Sequence, residues 1–459
     1  MIDSDFYGFK KQSKEEWLAK VDKDLRGRDF DEALVTTLWD TIKVDPMYFH
    51  EEEDHELLFH SESEIPGLPP RNWCNLAAVE VTEEKAANEK ALKLLNQGAE
   101  GLIFLTKAGT DFEKLFEGIQ LAYIEVFVQP LDHPNEVVSD FKKYLQDSNA
   151  SGEDLKGGFL WSPTSYAIKT GESPDIVTAR EAIEAFNPYP NFKALSIDFS
   201  RYAEAGGNGL QELTFGLGEI IETLDQLGDM TPNSIWSNLS FHLSSGSEHF
   251  ADIAKLKTAR RMIAELARLY EVDLQMEDVR LLVSNNSFTK TEMDPYSNLI
   301  RQTFEGMAGI LGGANSLWIK PEILDESPEL FERMAINVST ILREESQLGK
   351  VMDPSAGSNY ITSLSKEIKR TVLEQLSELE KSGGWMASFE NGTLQSQIRE
   401  NRKMIQEKVL EGELTKVGAN KFLRPGTENT PLTLGNYLET ELQLKPSRAS
   451  LLVEKERES

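Results

Sequence analysis

The residues best placed for chemistry stand at the ends of apolar, strand-like runs. Glu80 closes the run around Ala77–Val81, Asp198 and Arg201 lie at the end of Ala194–Phe199, and His242 ends Ser237–His242. Brought together, two carboxylates, a guanidinium and an imidazole make an acid–base site. Spacing does not bring them together, and the plainer reading is loop polar groups satisfied locally. The stretch Glu204-Ala205-Gly206-Gly207-Asn208-Gly209 opens an apolar helix. Such a turn either offers backbone N–H groups to a phosphate or is a tight βα turn without a ligand. His50, His55 and His60 recur every five residues in an acidic stretch. That spacing shares neither a helix face nor a strand face, so a solvated arm accounts for them better than a metal. No H-E-x-x-H, C-x-x-C, G-x-x-x-x-G-K-[ST] or G-x-S-x-G pattern occurs.

These residues need a scaffold, and the sequence supplies a repeating one. Eight strand candidates run in order: Ala77–Val81, Gly101–Leu105, Ile124–Gln129, Gly158–Trp161, Ala194–Phe199, Ser237–His242, Val279–Ser284 and Ser316–Lys320. Amphipathic stretches of crossover length separate them. One is Glu83–Asn96, with Thr82 as a candidate cap and Gly98 placed to end it. Another is His249–Tyr270, with Phe250, Ile253, Ala254, Met262, Ile263, Leu266 and Leu269 on one broad stripe. Eight βα units are the count that closes a parallel barrel. The absence of a G-x-G-x-x-G fingerprint weakens the alternative, an open doubly wound sheet.

The expected organisation is an α/β chain. It has an N-terminal arm over 1–75, a (β/α)8 TIM barrel over 76–345, a helical C-terminal extension over 346–425 and a tail over 426–459. Helices are expected at Glu15–Leu25, Lys366–Lys381 and Gln395–Leu410. The chain carries 48 Lys+Arg against 77 Asp+Glu, a net charge of −29, and no compensating basic patch. Such a surface repels nucleic acid and anionic membranes. Cys74 is the single cysteine, which excludes an intrachain disulfide and a Cys-rich zinc site and fits a reducing compartment. The N-terminal residues contain no apolar run of signal or membrane-span type. The expected protein is soluble and cytoplasmic.

Ordered motifs then carry a resemblance. Trp17, Asp24-Leu25-Arg26-Gly27 and Val44-Asp45-Pro46-Met47-Tyr48 lead the set, followed by Gln211-Glu212-Leu213-Thr214-Phe215. Next come Ile253-Ala254-Lys255-Leu256-Lys257-Thr258-Ala259-Arg260 and Asp294-Pro295-Tyr296-Ser297-Asn298-Leu299-Ile300-Arg301. Leu311-Gly312-Gly313-Ala314-Asn315-Ser316-Leu317, Asp353-Pro354-Ser355-Ala356-Gly357-Ser358 and Val417-Gly418-Ala419-Asn420-Lys421-Phe422 complete it. Over roughly residues 17–425 this ordered set resembles the mutase domain of the methylmalonyl-CoA mutase family.

The resemblance implies a radical carbon-skeleton rearrangement of an acyl-CoA with adenosylcobalamin, and the departures imply that this chain does not perform it. Where catalytic members carry a tyrosine, this chain has Ala78. Where they carry Gly-Tyr-His, it has Phe199, Ser200 and Arg201, and where they have Ser-Leu-His it has Ser316-Leu317-Trp318. No histidine stands in an Asp-x-His-x-x-Gly cobalt-ligand motif, and no cobalamin-binding domain is expected. The chain thus resembles the small, non-catalytic subunit of the heterodimeric enzyme. Ala78, Ser200, Arg201 and Trp318 are then vestigial site positions, adenosylcobalamin belongs to a large catalytic partner, and an acyl-CoA is a further candidate ligand. Two alternatives stand beside this: a catalytic barrel completed in trans by a separate cobalamin-binding chain, and an acyl-CoA-binding module without chemistry. Arg201 cannot act as a base, so it is expected to face solvent or an acidic neighbour such as Asp198 or Glu204 rather than a cavity.

Overall fold

The computed structural model describes residues 13–49, 69–148, 152–322, 328–424 and 437–458. His50, His55, His60, the acidic run Glu51–Glu56 and residues 66–68 lie outside the described residues.

The eight expected strand runs form one closed parallel barrel. Its strands are Cys74–Glu80, Gly101–Thr106, Glu125–Pro130, Lys156–Phe159, Phe192–Lys193 with Leu195–Asp198, Leu239–Ser245, Leu281–Asn285 and Ser316–Trp318. The fifth strand is interrupted at Ala194. Its first part pairs with the fourth strand and its second part with the sixth. The eighth pairs with the first, Ser316 opposite Cys74, so every strand has two parallel neighbours. Strands buried on both faces read as continuous apolar runs, which is why each was legible.

Boundaries moved where long-range contacts intervene. The first strand begins at Cys74, three residues before the expected Ala77, because the Cys74 N–H donates to the Asn315 carbonyl at 2.9 Å. The sixth begins at Leu239 because a short helix, Pro232–Ser237, occupies the residues before it.

The crossover helices follow local chemistry. Glu84–Asn96 is capped by Glu83 rather than Thr82: the Glu83 carboxylate accepts from the Lys85 and Ala86 N–H groups, so two orphan donors are satisfied at once. Gly98, at φ +105°, turns the chain beyond its end. His249–Leu269 is more extensively buried than one amphipathic stripe allows, because Asn359–Lys381 of the C-terminal extension covers its outer side. Its ends depart from the expected stripe, Phe250 being 54% and Leu269 80% exposed.

The arm contributes the helix Lys14–Leu25 and a small hairpin, Thr36–Leu38 with Ile42–Val44. Trp39 lies so close to Gly209 that a Cβ there would meet its ring at 2.4 Å. In the extension, Asn359–Lys381, Gly384–Glu390 and Thr393–Leu410 pack Leu379, Trp385, Phe389, Leu394 and Ile398 against Ala167, Ile168, Tyr202 and Phe215.

Residues 437–458, read from composition as part of a tail, are instead built into the barrel's C-terminal face. The Leu444, Ser447 and Ala449 N–H groups donate to the carbonyls of Ile168, Glu204 and Phe288, each at 2.9 Å. The fully buried Glu454 carboxylate accepts from Thr291, Ser450 and Arg448. A few anchors in a polar stretch decide this, and composition averages them away.

Candidate functional site

The fifth, sixth and seventh strands end side by side, and their terminal polar residues meet. Asp198 stands opposite His242 in register. Its carboxylate lies 3.2 Å from His242 Nδ1, accepts from Ser200 Oγ at 2.5 Å and accepts from the Arg201 guanidinium at 2.9 Å. On the far side of the imidazole, Nε2 is 3.0 Å from Ser284 Oγ. Burial opposes the charge on Asp198, but His242 and Arg201, with the hydrogen bonds from His242 and Ser200, hold its carboxyl well below the usual range.

Three of the four residues singled out for acid–base chemistry therefore converge, and Arg201 faces the expected acidic neighbour. Glu80 does not join them. It is exposed at the end of the first strand, across the barrel from the fifth and sixth. The order Ser284–His242–Asp198 follows the logic of a serine nucleophile, base and orienting carboxylate. Its setting does not: Ser284 is fully buried and His242 is only 5% exposed. Both groups are closed to solvent, and their hydrogen bonds fix the side chains at the mouth.

Further along the barrel axis the lining is apolar. Leu76, Ile103, Phe127 and Leu282 form a cluster, with Ala78, Leu160 and Trp318 packed against it. The Trp318 ring lies 6.2 Å from the His242 ring, and Lys320 lies over Trp318 at 5.0 Å while pairing with Glu204. Phe199 turns away from this axis and is fully buried against the helix Gly209–Gln226. Gly216 on that helix makes room: a Cβ there would meet the Phe199 ring at 2.0 Å.

Behind the mouth a second polar chain leads into the extension. The Asp198 N–H donates to Ser165 Oγ, which donates to Glu219 at 2.8 Å; Tyr202 donates to the other Glu219 oxygen at 2.5 Å and accepts from Trp385 Nε1. Burial raises the Glu219 carboxyl to about 7 against the pull of hydrogen bonds from Tyr202, Thr164 and Ser165. Ser284, Lys320 and Glu219 were not recognised from the sequence as parts of this site, whereas Glu204, an expected acidic neighbour, is there and pairs with Lys320. The signal for Ser284 was present, since it lies two residues beyond Leu282, on the same face of the strand beside His242.

The glycine-rich turn holds no phosphate cradle. The Gly206 and Gly207 N–H groups donate to Ala203 and Tyr202 carbonyls, and Asn208 accepts from Leu210 and Gln211 while Gln211 accepts from the Asn208 N–H. Its donors complete a capping box, so it is a tight βα turn. Among the described residues no three His, Cys, Asp or Glu side chains gather as metal ligands, and no helix is long and apolar enough to cross a membrane.

The ordered sequence motifs serve the architecture. Lys255 is buried between Glu212 at 2.5 Å and Asp252 at 2.9 Å. Arg260 donates to the carbonyls of Met276, Val279 and Gly313 and to Asn315 Oδ1, tying the starts of the seventh and eighth strands to one helix. Asp294 caps Pro295–Gly312, and Asp353 pairs with Lys257. The sequence profile of methylmalonyl-CoA mutase matches residues 105–447, most of the barrel together with this extension.

The chain belongs to the methylmalonyl-CoA mutase family.

Individual relatives agree. A methylmalonyl-CoA mutase small subunit of Porphyromonas gingivalis is 28% identical, with 91% of this chain and 71% of the relative covered. One from Streptomyces virginiae is also 28% identical, with 83% and 64% covered. A methylmalonyl-CoA mutase of Cereibacter sphaeroides is 32% identical, with 88% and 64% covered. The alignments thus span about two thirds of each relative's length. Of the four positions expected to be vestigial, Ala78 and Trp318 pack with the apolar axial cluster. Ser200 and Arg201 hold Asp198 at the mouth.

Proposed function

We propose that this chain is the non-catalytic small subunit of a heterodimeric, adenosylcobalamin-dependent methylmalonyl-CoA mutase. It supports a large catalytic subunit that interconverts methylmalonyl-CoA and succinyl-CoA. The observation that carries this reading is the packed barrel axis, where Trp318 and Ala78 stand with Leu76, Ile103, Phe127 and Leu282. A radical rearrangement needs a water-excluding cavity lined by groups that hold the acyl thioester, and this axis is filled with side chains instead.

The mouth also suits the corrin cofactor poorly. His242 has Nδ1 against Asp198 and Nε2 against Ser284, leaving neither nitrogen for cobalt. Adenosylcobalamin is accordingly assigned to the large partner. A barrel so built still offers a full outer surface for docking, because its core packing does not depend on a working site.

Co-expression with a large homologue is expected to yield a one-to-one complex with an interface above about 1,000 Å². The chain alone is expected to show no mutase turnover and no stoichiometric cobalamin absorbance. A large subunit that stays stable and active at micromolar concentration without this chain overturns the proposal. Turnover by this chain with only an added cobalamin-binding chain overturns it too.

Arg201 supplies a residue-level check. Its guanidinium is engaged with Asp198 and cannot serve as a base. Arg201→Ala is expected to leave the assembled enzyme within about twofold of its activity, roughly 0.4 kcal/mol on the barrier. A hundredfold loss with the complex intact would assign chemistry to this barrel.

A further inference from the structure

A cleft of about 470 Å³ lies outside the barrel axis, between the start of His249–Leu269, the outer face of Pro295–Gly312 and the segment 415–417. Lys416 lines it, and among the described residues its ammonium makes no hydrogen bond or ion pair. The anions around it are already engaged. Glu305 is paired with Lys290 and accepts from Thr289, and Glu454 is held by Arg448, Ser450 and Thr291.

The 21-residue helix His249–Leu269 starts at the edge of the cleft; no side-chain hydrogen bond caps it, Glu248 stands at its cap position, and its first-turn carboxylate, Asp252, is engaged by Lys255 and the Gly246 N–H. His249 Nδ1 is buried with no partner. The other wall is apolar and exposed, formed by Ile300, Phe304 and Val417.

We propose that this cleft binds a small organic anion, a carboxylate bearing a short apolar chain. Lys416 is its counter-ion, and Ile300, Phe304 and Val417 are the wall for its chain. The site lies outside the barrel axis.

The electrostatics give the site a pH signature. Burial, with Arg301 and Lys290 acting in the same direction and Glu305 and Glu454 against it, lowers the Lys416 ammonium to about 7. An incoming carboxylate needs the protonated form, so binding takes up a proton above that pH. Affinity is therefore highest below about pH 7 and falls as pH rises.

The test is calorimetric titration of the full chain with sodium hexanoate and sodium acetate. Saturable hexanoate binding is expected, with acetate at least about tenfold weaker for want of apolar contact. Hexanoate should bind about 20-fold more weakly at pH 8.5 than at pH 6.5. Lys416→Gln should weaken it by about tenfold or more at pH 6.5. Lys416→Arg, which keeps its charge throughout, should retain binding with no such pH dependence. Absence of saturable hexanoate binding overturns the proposal. So does a pH-independent wild type, an unchanged affinity in Lys416→Gln, or a loss in Lys416→Arg whose thermal unfolding matches wild type.

Discussion

Lys255→Met is expected to lower the unfolding free energy by about 3–5 kcal/mol, the cost of stranding buried charge. Lys255 is almost fully buried, and its ammonium reaches Glu212 at 2.5 Å, Asp252 at 2.9 Å and the Ser244 carbonyl at 3.0 Å. Burial works against that charge, but Asp252 and Glu212 outweigh it and raise the ammonium above the usual lysine range. Methionine fills a similar volume and removes only the cation, so two buried carboxylates then face each other without one. Urea unfolding at pH 7 measures the loss. Adding Glu212→Gln to Lys255→Met should recover part of it, since one uncompensated charge disappears. A loss below about 1 kcal/mol in the single variant would mean that the cluster is already relieved by water or by protonation.

Glu219→Gln is expected to stabilise the chain in a pH-dependent way. The Glu219 carboxyl is raised from 4.5 to about 7 in the folded chain, chiefly by burial. Below about pH 4.5 both folded and unfolded chains hold this proton. Between about 4.5 and 7 the unfolded chain releases it while the folded chain keeps it, so stability falls as pH rises and levels off above about 7. Glutamine is neutral throughout and escapes this penalty. The gain of Glu219→Gln over wild type should therefore grow by about 2–3 kcal/mol between pH 4.5 and pH 8. Other titrating groups cancel in that difference. Equal gains at the two pH values would show that Glu219 keeps an ordinary carboxylate range.

Both predictions concern residues whose identity was visible and whose role was not. Lys255 stood in a motif noted for its resemblance alone, and its partner Glu212 lies 43 positions earlier. Asp198, Arg201 and His242 were named because a barrel keeps chemistry at its strand ends, and they do meet. Glu80 was named by the same rule and stands apart, because the first and fifth strands face each other across an eight-membered ring.

The sequence by itself determined the eight strands, most helix ends and the family, because these depend on short-range patterning. Apolar runs must bury both faces, and a helix must satisfy its own terminal donors within a few residues. Only the tertiary structure decided that His242 touches Ser284, that Glu219 joins Asp198 to Trp385, that Trp318 packs the barrel axis and that Lys416 lacks a partner among the described residues. Those facts rest on strand register, ring closure and the docking of an extension more than 100 residues away in sequence. A one-residue slip in register would turn each of these strand side chains to the other face, and no local pattern contains that information.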